Sequence, residues 1–345
     1  MANKKSKVLI IYTGGTIGMI QDPHTGELKP FDFNTLTGQI PELKKFDIDL
    51  SSISFKKPID SSNMHPDVWI ELVNMIKTNY NKVDGFVILH GSDTMSYTAS
   101  ALSFMLQNLN KPIVLTGSQL PIGIIRTDGK ENLITAIEIA ATKHKEQSVV
   151  KEVCIYFEYK LYRGNRTIKY NSQHFDAFKS PNYPALAEAG INIDYNSHAL
   201  FKPEPGKTLV IHTKLDNDIA VLKLFPGISK KITQSILQTK GIKAVIMETF
   251  GAGNATTQAW FIEELQKTIE RGVVVLNITQ CIEGEVVQGK YETSSQLKRI
   301  GVIGGGDLTF EAAITKLMYL LGKGLKGKQL TKELQQNIAG ELTVN

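Results

Sequence analysis

Thr13, Thr16, Ser61, Ser62, Ser92, Asp93 and Ser118 lie in short polar stretches, each just after an apolar, strand-like run. The segment 162–169 (YRGNRTIK) adds Arg163, Arg166 and Lys169 as candidate cations. Hydroxyl groups are weak nucleophiles at neutral pH unless a base takes the proton as attack occurs. A lysine tuned by its surroundings and held beside Asp93 would relay that proton, and glycine-loop N–H groups would hold the developing oxyanion. Acyl transfer through a threonine ester is the chemistry this set supports. The competing reading is that the loops merely connect strands of a sheet. Other chemistries lack their patterns. Residues 13–18 (TGGTIG) match neither the dinucleotide nor the P-loop arrangement of glycines. No GxSxG elbow with a paired histidine occurs. His90, before a glycine at a strand end, reads as a packed structural residue. No CxxC or HExxH spacing points to a metal, and none is expected.

These residues need a scaffold that brings them together. Residues 8–12 (VLIIY) form a short buried-strand pattern, followed by TGGTI, whose two glycines permit a sharp, positive-φ backbone. The rhythm recurs at 48–55 with PIDSSNM after it, at 85–90 with GSDTM, and at 111–115 with TGSQLP. Helical patterns lie between them. One is expected near 34–46. A second starts at Pro66 and carries Val68, Trp69, Leu72, Val73 and Ile76 on one face. A third is expected to run on through Leu109, and a fourth to span about 126–142. Strand, polar loop and helix in this repetition predict a doubly wound, mainly parallel sheet. Strand ends of one polarity face one edge, so the loops at 13–16, 60–62, 91–94 and 116–119 are expected to converge. The polar stretch 21–29, beside the first loop, is a candidate lid.

A strand is expected at 150–159. Periodicity then lapses across 180–207, where Pro181, Pro184, Pro203, Pro205 and Gly206 cluster. The α/β alternation resumes afterwards. The expected organisation is a larger N-terminal α/β domain at 1–190, a linker at 191–207 and a smaller C-terminal α/β domain at 208–345. The chain has 345 residues, 42% hydrophobic and 21% charged, with a net charge of +5. Its basic residues are scattered rather than striped, so nucleic-acid binding is not expected. No apolar run is long enough to cross a membrane, and the first strand leaves no room for a secretory segment. Cys154 and Cys281 each adjoin apolar runs and are expected to be reduced core residues of a cytoplasmic protein.

Residues 12–19 (YTGGTIGM), 60–64 (DSSNM), 85–95 (GFVILHGSDTM), 115–121 (LTGSQLP), 127–133 (TDGKENL), 162–169 (YRGNRTIK) and 251–254 (GAGN) closely resemble the cytoplasmic type I bacterial L-asparaginases, in the same order over nearly the whole chain. The resemblance implies hydrolysis of L-asparagine to aspartate and ammonia, with a weak glutaminase side activity and no metal or organic cofactor. It implies a homodimer or a homotetramer of paired dimers. By the same resemblance Thr16 is the nucleophile, Ser92 the second catalytic hydroxyl, Asp93 the ammonium acceptor and Lys169 its partner. Asp60, Ser61 and Ser62 would grip the α-amino and α-carboxylate groups. Ser118 would offer a carbonyl to the leaving amide, and Asn254 would reach a neighbouring subunit's site.

Three points separate this chain from the common pattern. Position 92 carries serine where the family usually has threonine, so its rotamer is less restricted. No tyrosine lies between Ile17 and Phe33; Glu27 or Leu28 stands in the region where a loop tyrosine often occurs. Some relatives bind a second asparagine through Thr, Arg and Cys. Cys281 matches, but Ile168 and Glu248 replace the others, and a glutamate cannot clamp a carboxylate, so no such site is expected. A related alternative function is the amidotransferase subunit that deamidates for a partner enzyme. It normally has an extra N-terminal domain, and here the first strand pattern starts by Val8.

Overall fold

The computed structural model describes residues 5–21, 28–30, 40–289 and 292–343. It divides into two compact units, Met1–Ile211 and His212–Asn345. In the first, the chain runs through β1 (Ser6–Tyr12), β2 (Ile48–Ser54), α1 (Pro66–Asn79), β3 (Gly85–Leu89), α2 (Met95–Met105), β4 (Ile113–Thr116), α3 (Gly129–Ala141), β5 (Val153–Phe157), β6 (Lys160–Arg163), β7 (Ala187–Ala189) and β8 (Ile193–Tyr195). These strands form one sheet in the order β8-β7-β6-β5-β4-β3-β1-β2. From β5 to β2 every pairing is parallel, and β6, β7 and β8 add antiparallel strands.

Every residue of β3, β4 and β5 is buried, as are the last five of β1. Apolar runs without alternation suit strands covered on both faces. Val8, Ile10 and Tyr12 join Val87, Leu89 and Val114 in one core cluster with Leu133, Ala136, Ile137 and Ala140 of α3. Burying each of these larger apolar side chains is worth about 1.5–3 kcal/mol. The parallel strands follow the order β2-β1-β3-β4-β5, so chain direction reverses across the sheet between β1 and β3. A doubly wound sheet of this order opens a crevice beyond the carboxyl ends of those two strands.

The second unit contains β9 (Ile219–Lys223), α4 (Lys230–Leu237), β10 (Ala244–Thr249), α5 (Ala259–Glu270), β11 (Val274–Thr279), α6 (Glu292–Ile300), β12 (Ile303–Gly304), α7 (Phe310–Gly322) and α8 (Gly327–Leu334). Its four strands are all parallel, in chain order.

Several expectations need correction. The segment 191–207 falls within the first unit, where Ile193–Tyr195 pairs with Ala187–Ala189, and just beyond it Val210–Ile211 pairs with Leu106–Gln107. The Glu152 carboxylate also accepts from Phe201 N at 2.6 Å. The third helix ends at Met105 for the same reason, since residues 106–107 are taken into that strand pair. Cys154 is buried but Cys281 is exposed. Its N–H donates to Thr279 Oγ1 at 3.0 Å, a local turn that carries the chain out of β11. The candidate lid falls mainly outside the described residues, as do Glu27 and the start of the helix expected at 34–46. The described remainder of that helix is a short 3₁₀ turn, Pro41–Lys45.

Candidate active site

The crevice is closed by backbone meeting backbone. Thr13 N and Oγ1 both donate to Leu89 O, at 3.0 and 2.9 Å, tying the end of β1 to the end of β3. Thr13 is 1% exposed, which makes its hydroxyl structural. Ile59 N donates to Thr13 O at 2.8 Å and brings in the loop after β2. Gly14 and Gly15 follow with φ of 134° and 89°, a region that favours glycine. Their missing side chains also matter for space: a Cβ on Gly14 would overlap Ile59, and one on Gly15 would overlap Gly91. Thr16 then opens a 3₁₀ turn, Thr16–Gly18, and is half-buried. On the facing loop, a Cβ on Gly91 would meet the Ser61 side chain, and one on Gly117 would overlap His90 O. The four loops therefore converge as their positions after parallel strands predict. Thr16 and Ser92 each stand one residue beyond the Gly15–Gly91 contact.

Asp60 caps the 3₁₀ turn Ser61–Asn63, accepting at Oδ1 from Ser62 N at 2.8 Å and Ser62 Oγ at 2.7 Å. These two donors hold its carboxyl below the usual aspartate range. Asp60 and Ser62 are exposed, so a negative charge is preset at the crevice mouth. Ser61 is buried, and its carbonyl accepts from Thr94 Oγ1 at 2.7 Å. Lys169 Nζ donates to Ser92 Oγ at 2.8 Å and to Asp93 Oδ1 at 2.6 Å. The lysine side chain is 15% exposed and the aspartate 66%. Of the three candidate cations, Lys169 reaches this edge. Arg163 is buried against Glu152 at 2.6 Å, and Arg166 is buried over the Tyr183 ring.

Ser118 is buried with its hydroxyl on Leu120 O at 2.6 Å, leaving the backbone of 117–120 to shape the site. That loop depends on Asp128 and Asn132, to which the resemblance assigns no role. Asp128 accepts from Gln119 N at 3.1 and 2.9 Å and from Leu120 N at 3.2 Å. Asn132 donates to Gly117 O at 3.0 Å and to Asp128 at 3.2 Å. Burial pushes the Asp128 carboxyl up despite these donors. Their spacing, Asp then Asn four residues on at the start of α3, was the available signal. Asn254 lies in the second unit, in a turn closed by its backbone pairing with Phe250.

His90 is fully buried and structural, as its sequence context suggests. Nδ1 lies 2.7 Å from Gly91 O, which only accepts, so that nitrogen carries the proton. Nε2 then accepts from Thr98 Oγ1 at 2.9 Å, and Trp69 Nε1 donates to Thr98 at 3.0 Å. Burial lowers the His90 pKa to about 4. A free histidine titrates near 6.5, so between these values the unfolded chain binds more protons. The contribution is complete above about pH 6.5 and fades as pH falls towards 4, on the order of 3 kcal/mol. Urea unfolding between pH 7 and 4 should show this loss in the parent and a shallower slope in His90→Asn. Equal slopes would remove His90 as its source.

The profile of the asparaginase N-terminal domain matches residues 7–201, and that of the glutaminase/asparaginase C-terminal domain matches 218–334. L-asparaginase 1 of Escherichia coli (strain K12) is 42% identical over 346 residues, covering 99% of either chain. Among solved structures, L-asparaginase I from Vibrio cholerae O1 biovar eltor superposes with a TM-score of 0.90 at 38% identity, covering 99% of this chain and 100% of that one. The thermostable L-asparaginase from Thermococcus kodakarensis gives 0.88 at 30% identity, covering 98% and 100%.

Proposed function

This chain belongs to the asparaginase family, and from that premise we propose that it hydrolyses L-asparagine to L-aspartate and ammonia through an ester on Thr16. It is an L-asparaginase, an amidohydrolase of linear amides. The observation that carries the mechanism is the Lys169 bridge, which joins Ser92 Oγ and Asp93 Oδ1 at 2.8 and 2.6 Å. A cation at that distance stabilises charge on Ser92 Oγ and lets the pair pass protons. Thr16 Oγ1 bonds to the side-chain amide carbon of asparagine while Lys169 Nζ gives a proton to the departing nitrogen, and the Thr16 proton, relayed through Ser92, restores the lysine. The C–N bond breaks and ammonia leaves. Water then attacks the ester, releasing aspartate and returning the proton to Thr16. Asp60, with its carboxyl held ionised, receives the α-ammonium together with Asp93. Ser61 and Ser62 hold the α-carboxylate, and the carbonyl of Ser118 faces the leaving amide.

The same reading includes a homodimer or homotetramer in which Asn254 of one copy serves a neighbouring site. It also includes a cytoplasmic setting, consistent with two free thiols. No described helix is long and apolar enough to cross a membrane. The test is ammonia release by the purified chain alone, over concentration series of L-asparagine and L-glutamine. Turnover of asparagine without any partner enzyme is expected, with glutamine the poorer substrate. Absence of ammonia from asparagine would overturn the reading, and a sigmoidal asparagine curve would overturn the expectation of no second asparagine site.

A further inference from the structure

The Ser92 hydroxyl stands between two groups of opposite hydrogen-bonding capacity. Lys169 Nζ, which only donates, is 2.8 Å from Oγ, and Gln119 Oε1, which only accepts, is 3.1 Å away. The orientation of the Gln119 amide does not rest on Ser92. Its Nε2 lies 3.0 Å from His174 O, and a carbonyl accepts only, so the amino group must face His174 and the carbonyl must face Ser92. The other end of Gln119 is pinned as well, because its backbone N–H donates to Asp128 at 3.1 and 2.9 Å. Both ends of Gln119 are thus set by groups outside the Ser92 loop. With its proton drawn to Gln119, Ser92 keeps a lone pair for Lys169. A serine has no γ-methyl to restrict χ1, so an external group has to choose among its staggered rotamers.

We propose that Gln119 is a positioning residue for Ser92. Its side-chain carbonyl, aimed by His174 O, holds the resting rotamer that keeps Ser92 Oγ on Lys169, and the Ser92 proton turns to the lysine once that lysine has given its own to the departing nitrogen. A threonine at position 92 would perform part of that selection with its own methyl. The inference rests on the roles given to Ser92 and Lys169 above, and it adds no chemical step.

A double-mutant cycle tests it. The kcat and KM for asparagine are measured for the parent, Gln119→Met, Ser92→Thr and the double variant. Gln119 is half-exposed, so methionine of similar length leaves the core intact. In the Ser92 parent, Gln119→Met should lower kcat about tenfold with KM within about twofold, the scale of one lost hydrogen bond. In the Ser92→Thr background the same change should cost about threefold or less, because the rotamer is already restricted. Equal losses in both backgrounds, or a loss confined to KM, would overturn the proposal. Thr16→Ala, run alongside, separates the two failures. If that variant is inactive and the cycle is additive, only the positioning role is wrong. If it stays active, the assignment of the whole site is wrong.

Discussion

Thr16→Ala is expected to lower kcat for asparagine hydrolysis by at least about a thousandfold, as removal of a nucleophile usually does. Nothing that shapes the loop should change with it. The turn is set by Gly14 and Gly15 at φ of 134° and 89°, by the Thr13 bonds to Leu89 O and by Ile59 N on Thr13 O. Thr16 itself is half-buried at the start of a 3₁₀ turn where alanine is tolerated. The variant should therefore keep its melting temperature within a few degrees while losing turnover. Some rate above water remains, since the loop N–H groups and the Asp60 charge still orient substrate. Thr16→Ser, which keeps the oxygen, should retain far more activity than the alanine variant. Steady-state ammonia release with a parallel thermal melt decides this. An alanine variant within about tenfold of the parent would exclude the ester mechanism.

The second large effect concerns stability, in the second unit. Lys316 and Glu341 form an ion pair at 2.7 Å, and both side chains are 0% exposed. Lys316 Nζ also donates to Leu334 O at 2.9 Å and Gln336 O at 2.6 Å. The glutamate accepts from Ile338 N at 3.0 and 3.1 Å and from Ala339 N at 2.7 Å. The pair thereby anchors the end of the chain to α7. Thr343 extends that anchor through bonds of 2.9 and 2.6 Å to Asp307. Glu341→Ala strands an ammonium in the interior and should cost about 3–5 kcal/mol, the usual penalty for breaking a buried pair. Replacing both partners with apolar residues of similar volume, Lys316→Met with Glu341→Leu, should cost less than the single change, since no unpaired charge remains. Urea midpoints of the three proteins make the comparison. A Glu341→Ala variant within about 1 kcal/mol of the parent would show that the pair is no anchor.

The elements that carry the site were legible because they are encoded locally. Runs at 8–12, 86–89 and 113–115 with no polar alternation announce strands buried on both faces. Polar loops after each of them imply convergence once the strands are parallel. The resemblance to the family then singled out Thr16 over Thr13, and the Thr13 hydroxyl is tied to Leu89 O at the end of the neighbouring strand. Other assignments depended on partners far away in sequence. Spacing placed Arg163, Arg166 and Lys169 together, and only the resemblance to a family preferred one. In the fold, Glu152 claims Arg163 and the Tyr183 ring takes Arg166, while Lys169 reaches Ser92 and Asp93, more than 70 residues away.

The same distinction explains what local patterns missed. Prolines and glycine at 181–206 look like a linker, yet residues 187–189 and 193–195 within it are held by strand pairing, which periodicity does not reveal. Cys281 follows an apolar strand but leaves it at once, because the Thr279 hydroxyl captures its N–H. Gln119 carries no catalytic signature of its own. Its place between Ser92 and His174 O exists only after the loop after β4 meets the loop after β3 and the segment before residue 178. The sequence by itself determined which residues carry reactive groups and which runs become strands, because hydrophobic period and turn chemistry act over a few residues. Tertiary structure decided which of those groups touch, because a hydrogen bond near 3 Å requires loops from separate strands to be held to within a fraction of an ångström.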